Sequence, residues 1–308
     1  MHDLFYSDEV WTAINEKTPL VGLETAVVTH GLPYPTNIEL AQAMENIIRE
    51  EGAVPATVGV LGGRAQIGMR KEDILLLAQD HEVIKVSRRD FSRAAAKKLN
   101  GGTTVAGTLT ALHKAGINVF ATGGIGGVHR NAPYDISADL PTLGQTPALV
   151  VCAGAKSILD LPATLEMLET LSVPVVGFQT NLFPAFYARS SGLPISIEVE
   201  DPEQAALLAK SHWGMGINSA VLLVVPPPLD AALPDRQMEE AVEQALKDAE
   251  EHKITGQEVT PFLLKRVSEI TGKASLKANL GLLLNNARVA VKLGSNLRNP
   301  LEMQPGME

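Results

Sequence analysis

Short apolar runs alternate with amphipathic segments along most of the chain, and this alternation constrains the fold more than any other feature. The apolar runs predict strands at 20–28, 58–61, 83–86, 119–122, 149–152, 173–178, 195–199 and 220–225. The segments between them predict helices at 38–51, 71–79, 93–99, 103–114, 163–170 and 202–214. Strands and helices in this order predict an α/β protein, a three-layer α/β/α arrangement around a largely parallel central sheet.

The chain changes character after the prolines at 226–228. Segments 236–252, 260–270 and 276–291 read as consecutive helices with no strand between them. They predict additional C-terminal helices that pack over an edge of the sheet or cap the mouth of a site. The proline run is too short to separate two domains, so residues 1–308 are predicted to form a single domain.

Composition narrows the class of protein. Hydrophobic residues make up 45% of the chain and aromatic residues only 4%, so the core must consist of Val, Ile, Leu and Ala, as in buried parallel strands. The net charge is −9 and no basic stripe occurs, which argues against a nucleic-acid partner. A small phosphorylated ligand stays compatible, because a few local cations or a helix N-terminus suffice for one phosphate.

Cellular location can be predicted only from what the sequence lacks. Cys152 is the single cysteine, so no intrachain disulfide can form, as expected for a reducing cytoplasm. Residues 1–20 lack the apolar core of a signal peptide, and no apolar run reaches the about 20 residues that span a bilayer. The sequence therefore predicts a cytoplasmic protein with no membrane association.

Residues 150–157, VVCAGAKS, place a lysine directly after an apolar strand and a run of small residues. Small residues let a substrate approach the backbone closely. A lysine held there loses hydration, which lowers the pKa of its amine and frees it to attack a carbonyl or anomeric carbon. Lys156 is therefore a candidate covalent catalyst, and a solvated lysine at the start of a helix is the alternative interpretation.

Glu24 interrupts the apolar run 20–28, where a carboxylate must be paired or have its pKa raised. A raised pKa would suit a proton donor, and a salt bridge inside the sheet is the structural alternative. Ligands of α/β proteins collect at the carboxyl ends of the strands. Lys85 lies at the end of a predicted strand, and the glycine run 123–127 and Lys156 each follow another, which places them at the same edge as Glu24.

The segment 135–139, DISAD, offers two carboxylates and a hydroxyl in close succession. Such hard oxygen ligands suit Mg²⁺ or Mn²⁺. A turn with helix-capping side chains is the alternative interpretation.

The glycine run is followed by His129 and Arg130 and would permit a nest of backbone N–H groups for a phosphate. It does not fit a dinucleotide site, because His129 replaces the third glycine of the G-x-G-x-x-G pattern and no acidic residue ends the following strand. The sequence also contains no G-x-x-x-x-G-K-[ST] loop. A nicotinamide cofactor is not expected.

Weaker signals lie in two further segments. Residues 83–90 bring Lys85 together with two arginines, as a charged loop or a phosphate contact. Residues 101–105, GGTTV, predict a tight turn that enters a helix through a threonine cap and directs backbone N–H groups at an anion. His30 precedes a glycine and two nearby prolines and is predicted to be a loop residue without a chemical role.

Taken together, these segments resemble the pseudouridine-5'-phosphate glycosidase family, also called the indigoidine synthase A-like family. The matching stretches follow the family order across nearly the whole chain: 23–35, 85–90, 101–105, 122–130, 135–140, 151–158, 183–187 with 189–192, 259–264, and 274–279 with 285–286. The stretch 130–134 is shorter than the family pattern, a departure that affects the loop beside His129.

The resemblance implies reversible cleavage of pseudouridine 5'-phosphate to uracil and ribose 5-phosphate, with one Mn²⁺ per subunit. It implies Lys156 as the nucleophile, Glu24 as the proton donor and Asp135 as the metal ligand. Substrate contacts are implied for Lys85, Val105, Ser137, Ala138, Asp139 and Asn279. The resemblance also implies a homotrimer built on an α/β/α core.

The chemistry of a carbon–carbon glycosidic bond suits a lysine. Ordinary glycosidases protonate a leaving heteroatom between paired carboxylates, but the uracil carbon has no lone pair to protonate. Attack by Lys156 on C1' as the sugar ring opens would give a Schiff-base-type adduct instead. The rival interpretations are a Schiff-base aldolase for another sugar phosphate, a non-catalytic metabolite-binding protein, and a role in an indigoidine pigment pathway.

Overall fold

The computed structural model describes residues 4–130, 132–254, 259–272 and 274–297, without the side chains of residues 133, 235, 260 and 261. Asn131, in the shortened stretch 130–134, lies outside the described residues, as do the side chains of Thr260 and Pro261 in the stretch 259–264.

The strands of the described residues are β1 (Leu4–Tyr6), β2 (Leu20–Leu23), β3 (Val54–Leu61), β4 (Arg64–Ile67), β5 (Ile84–Val86), β6 (Gly101–Thr103), β7 (Val119–Ala121), β8 (Val128–His129), β9 (Ala132–Ile136), β10 (Leu149–Cys152), β11 (Leu159–Asp160), β12 (Val175–Phe178), β13 (Ile197–Val199) and β14 (Val221–Val224). The helices are α1 (Asp8–Glu16), α2 (Thr36–Glu50), α3 (Lys71–Gln79), α4 (Phe91–Lys97), α5 (Val105–Lys114), α6 (Asp139–Leu143), α7 (Leu161–Thr170), α8 (Pro202–Gly214), α9 (Asp235–Glu251), α10 (Val259–Ile270) and α11 (Ala274–Gly294).

The main sheet is largely parallel, as the sequence predicts. Its strand order is β1-β4-β3-β2-β7-β10-β14-β12-β13, and every pair from β3 through β13 is parallel. The antiparallel pairs are β3 with β4 and β3 with β6. Both pairs lie towards the edge of the sheet that β1 forms. The predicted α/β class is confirmed, and the helices that flank the sheet fit the predicted three-layer arrangement.

The central strands have no polar face. Every residue of β7, β10 and β14 is buried, which explains why these strands read as unbroken apolar runs rather than as alternating ones. The C-terminal helix α11 packs on β2, β7 and β10 and against α2, so one predicted extra helix forms part of the core.

The predicted strand 20–28 is too long, and Glu24 lies after the strand rather than within it. β2 ends at Leu23, and a π-helical turn occupies Val27–Gly31. The cause is Thr25, whose hydroxyl donates to the carbonyl of Val58 at 2.7 Å and accepts from the N–H of Thr103 at 3.0 Å. Side-chain bonding to the neighbouring strands replaces the backbone ladder, so the chain leaves the sheet at Glu24.

The turn predicted at 101–105 is a strand followed by a helix cap. Gly101–Thr103 forms β6, which pairs with both β3 and β5. Thr104 then caps α5, as predicted, by accepting a hydrogen bond from the N–H of Gly107 at 3.2 Å.

A small second sheet forms the other wall of the region of interest. Its strand order is β11-β8-β9, and both of its pairs are antiparallel. Sequence patterns do not predict it, because β8 and β11 are two residues long and cannot display a period. Among the described helices, none has the length and apolarity to cross a membrane.

Leu149 in β10 tests how much the centre of the sheet contributes to stability. Its side chain is fully buried, so Leu149→Ala should lower the free energy of unfolding by about 3 kcal/mol through lost burial and an unfilled cavity. Leu207→Ala, which truncates a 65% exposed leucine on α8, should cost less than about 0.5 kcal/mol. Urea denaturation of both variants measures the difference, and equal losses would contradict this placement of the core.

Candidate active site

One cavity of about 450 Å³ lies beside the carboxyl ends of β2, β5, β7 and β10. Every residue for which the sequence predicted a catalytic, substrate or metal role lines it: Glu24, Lys85, Val105, Asp135, Ser137, Ala138, Asp139, Lys156 and Asn279. These residues come from positions far apart in the chain, from Glu24 to Asn279. The geometry shows that they meet in one place, while their individual roles stay predictions.

Glu24 enters the cavity from the point where β2 ends. Its Oε1 accepts a short hydrogen bond from the Thr122 hydroxyl, at the end of β7. Burial raises the pKa of the Glu24 carboxyl, and the positive charge of Lys156 and the Thr122 hydrogen bond oppose that rise. A carboxyl in this environment keeps its proton to a higher pH than an exposed glutamate, as a proton donor requires.

Lys156 is partly buried at the cavity wall, and its backbone is bonded on both sides. Its N–H donates to the carbonyl of Ile125 at 3.1 Å, and its carbonyl accepts from the N–H of Leu159 at 3.0 Å. The second bond closes a β-turn over residues 156–159. Lys156 is therefore the first residue of a turn that follows β10, rather than part of a helix.

Lys85, in the middle of β5, is a second amine in the same cavity. Burial lowers the pKa of the Lys85 amine, and the positive charge of Lys156 lowers it further. The carboxylates of Asp139 and Glu24 act in the opposite direction. Two amines and two carboxyl groups thus influence one another within one enclosed space.

Asp139 is the most enclosed carboxylate of the site, with 5% of its surface exposed. Its Oδ1 accepts from the N–H of Ala106 at 2.9 Å, and its Oδ2 accepts from the N–H of Gly126 at 2.8 Å. Its own N–H donates to the Ser137 hydroxyl at 3.2 Å. Asp139 therefore ties α5, the glycine run and α6 together as well as facing the cavity.

Asp135 and His129 lie on the second sheet, at the exposed side of the cavity. Asp135 is exposed, and its carboxylate partly offsets the burial that lowers the pKa of the His129 imidazole. Among the described residues, no three His, Cys, Asp or Glu side chains converge as in a closed metal cage. One carboxylate with an imidazole nearby suits a hard cation that keeps most of its water ligands.

Two buried residues that support Glu24 carry no predicted role. Thr122 orients Glu24, and Asn286 on α11 donates from Nδ2 to the Thr122 carbonyl at 2.8 Å. Both side chains are fully buried. Both residues lie in stretches that resemble the family. Their distance from Glu24 in the sequence follows no known motif, so the sequence alone does not reveal that they support it.

His30 also lines the cavity, although the sequence assigned it no chemistry. Burial lowers the pKa of its imidazole, with the positive charge of Lys85 adding to the effect. Its Nδ1 lies 2.6 Å from the Thr29 hydroxyl, which fixes the ring as a structural hydrogen bond would.

A larger cavity of about 700 Å³ lies elsewhere, between β1, α2 and α3, and none of the predicted site residues reaches it. Several of its charged groups are paired with one another. Arg49 bonds Glu9 at 2.8 Å and Glu45 at 3.3 Å, and Glu45 accepts a further bond from Thr57 at 2.5 Å. Size alone therefore does not mark the functional cavity.

Proteins of a known family are similar in sequence to this chain over almost its full length. Residues 9–296 match the family model of indigoidine synthase A-like proteins. A pseudouridine-5'-phosphate glycosidase of Caldanaerobacter subterraneus subsp. tengcongensis is 48% identical over 293 residues, which cover 94% of this chain and 95% of that protein. A protein of the same name from Paracoccus denitrificans is 49% identical over 293 residues, covering 94% and 96%.

Solved structures agree. An indigoidine synthase A-like protein of Thermotoga maritima superposes with a TM-score of 0.88 at 36% identity, covering 96% of this chain and 97% of that one. The prealnumycin C-glycosynthase AlnA, solved in complex with ribulose 5-phosphate, gives the same TM-score at 39% identity, covering 95% and 96%. The resemblance inferred from the sequence motifs is confirmed, and the chain belongs to the indigoidine synthase A-like family.

Proposed function

We propose that this protein is a pseudouridine-5'-phosphate glycosidase that reversibly cleaves the C–C bond between C1' of ribose 5-phosphate and C5 of uracil. The observation that carries the proposal is the meeting of Lys156 and a half-buried Glu24 in one cavity, in a family whose matched relatives bear this name. A pentose phosphate bound to the related C-glycosynthase supports the sugar half of the substrate.

In the proposed first step, the neutral amine of Lys156 attacks C1' and a C–N bond forms. The C1'–O4' bond breaks, and O4' takes the proton of Glu24. The attached nitrogen then returns a proton to Glu24, which leaves an open-chain adduct and a reprotonated acid. A carboxyl whose pKa is raised by burial suits both transfers, since it takes up a proton more readily than an exposed glutamate and can still donate it.

In the second step, Glu24 protonates C5 of the uracil as the C1'–C5 bond breaks. The nitrogen lone pair of Lys156 forms an iminium with C1', so the departing base takes the bonding electrons together with a proton. Water then adds to the iminium, ribose 5-phosphate leaves, and the released proton restores Glu24. The same steps in reverse join uracil to ribose 5-phosphate.

The remaining side chains serve binding in this proposal. Lys85 offers a cation and a donor to an anionic substrate, and Asn279 on α11 offers an amide to the base or sugar. Ser137 and Ala138 line the cavity together with Val105 at the start of α5. Water is limited by the apolar side chains that α10 and α11 contribute, namely Leu264 and Leu283.

We further propose that the enzyme uses Mn²⁺, held by Asp135 with His129 beside it. An exposed Asp135 beside a half-buried His129 at the edge of the cavity fits a hydrated divalent cation. When bound, such an ion would order water and neutralise negative charge near the substrate. No step above depends on it.

Lys156→Ala tests the nucleophile. With borohydride and ribose 5-phosphate, the native protein should gain one reduced pentose phosphate on Lys156, and the variant should gain none. Uracil release should fall at least about a thousandfold, as when other covalent catalysts lose their nucleophile. Lys97→Ala, which removes an exposed lysine of α4, should behave as native. Peptide mass spectrometry that locates the adduct on Lys85 instead would contradict the assignment.

Thr122→Val tests the control of the Glu24 proton. The hydroxyl of Thr122 lowers the Glu24 pKa, so its removal should raise that pKa further. Turnover needs the protonated acid, so the fall in kcat toward high pH should move to higher pH in Thr122→Val. Thr122→Ser keeps the hydroxyl and should keep the native profile. If the fall in kcat of Thr122→Val occurs at the same pH as in the native protein or at a lower pH, Thr122 does not control the Glu24 pKa.

Asp135→Asn tests the metal. Mn²⁺ affinity should drop by more than about tenfold, because even the loss of an outer-shell partner costs that much. Electron paramagnetic resonance of free Mn²⁺ measures the affinity without turnover. Asp230→Asn, which changes an exposed aspartate between β14 and α9, is the control. If Asp135→Asn binds Mn²⁺ as tightly as the native protein does, the ion lies elsewhere.

The rival Schiff-base aldolase shares the lysine but breaks a bond within the sugar. Incubation with pseudouridine 5'-phosphate separates the two, because only the proposed reaction releases uracil.

A further inference from the structure

We propose that Arg130 is a positioning residue that fixes the turn carrying Lys156, and this inference rests on the proposed function. Arg130 follows β8 directly and does not line the cavity. It acts on the site through the backbone of residues 156–159 rather than through the substrate.

The guanidinium of Arg130 binds two carbonyl groups of the segment after Lys156. Its Nε donates to the carbonyl of Leu159 at 3.1 Å, and one terminal nitrogen donates to the carbonyl of Ser157 at 3.2 Å. These carbonyls flank the closing bond of the turn, in which the Leu159 N–H donates to the Lys156 carbonyl. Together the three bonds hold one peptide plane within the turn and one directly after it.

The turn is part of the cavity wall, so its orientation sets the position of the amine. Leu159 lines the cavity, and Ser157 is only 3% exposed. The carbonyls of an exposed loop bond to water, but those of this buried turn need a donor from the protein. Here a planar fork with fixed N–H directions replaces water, which restricts the tilt of the turn. Displacement of a reacting group by about 1 Å can cost about a hundredfold in rate, so such restriction matters for attack on C1'.

Arg130 also connects the two walls of the site. The strand it follows, β8, pairs with β11 on one side and with β9, which carries Asp135, on the other. The third guanidinium contact is an ion pair with Glu239 on α9 at 2.9 Å. Glu239 is exposed, so this pair contributes little free energy by itself. We therefore assign the positioning of the turn to the two hydrogen bonds from Arg130 to the carbonyls of Ser157 and Leu159.

Arg130→Lys and Glu239→Gln separate these contacts. Lysine keeps the charge and the pairing with Glu239 but cannot bond two carbonyls in fixed directions. Glu239→Gln keeps the carbonyl bonds and weakens only the ion pair. Arg236→Lys, which changes an exposed arginine on α9, controls for the substitution itself.

We expect Arg130→Lys to lower kcat and the single-turnover rate of borohydride-trapped adduct formation by about tenfold or more. The KM for pseudouridine 5'-phosphate and the melting temperature should change little. Glu239→Gln and Arg236→Lys should match the native protein. A contact that only stabilises the fold would not lower kcat while leaving KM and the melting temperature unchanged.

Native-like adduct formation in Arg130→Lys would overturn the inference, as would a rate loss explained by unfolding at the assay temperature. An equal loss in Glu239→Gln would also overturn it, because the effect would then run through α9. If the native protein itself forms no adduct and releases no uracil, the proposed function fails rather than the role of Arg130.

Discussion

The Asp139 carboxylate is the contact on which the rest of the site depends. Each of its oxygens accepts a backbone N–H, one from the start of α5 and one from the glycine run after β7. A buried carboxylate without such donors would carry a large desolvation cost. Because its donors come from separate segments, the carboxylate can be satisfied only when α5, the glycine run and α6 are docked together. The site and its supporting fold therefore form as a unit, with Lys85 and Glu24 exposed to the same negative charge.

Burial also acts on the Glu24 carboxyl and the Lys85 amine of the site. It raises the pKa of the Glu24 carboxyl and lowers the pKa of the Lys85 amine, so the neutral forms of both are favoured. Proton transfer between groups in such a space requires little solvent reorganisation. The arrangement also has a cost, because Thr122 and Asn286 must be fixed in the core to keep the acid correctly oriented. Their hydrogen bonds are buried, where an unmatched polar group is most expensive.

Sequence patterns predicted the large features of the fold because burial determines them. The run 149–152 is β10 without correction, and the amphipathic segments 71–79 and 202–214 are α3 and α8 at their predicted bounds. Patterns failed where the hydrogen bonds of a single side chain determine the course of the backbone. Thr25 is the example, because its bonds end β2 before Glu24. The residues that line the cavity were predictable from motifs. The supporting contacts were not, since Thr122 and Arg130 act across the fold on partners far from them in sequence.

The glycine run shows why a motif needs its packing partners before it can be interpreted. A nest of N–H groups for phosphate explains glycines equally well on sequence grounds, but here the Gly126 N–H already bonds Asp139. A Cβ at Gly126 would lie 2.3 Å from the Ser137 hydroxyl oxygen, and one at Gly124 would lie 2.6 Å from the ring of Phe186. Side chains at these positions would collide with Ser137 and Phe186, which both line the cavity. The lack of side chains thus lets the backbone after β7 approach both walls, and the space this leaves is what a substrate can occupy.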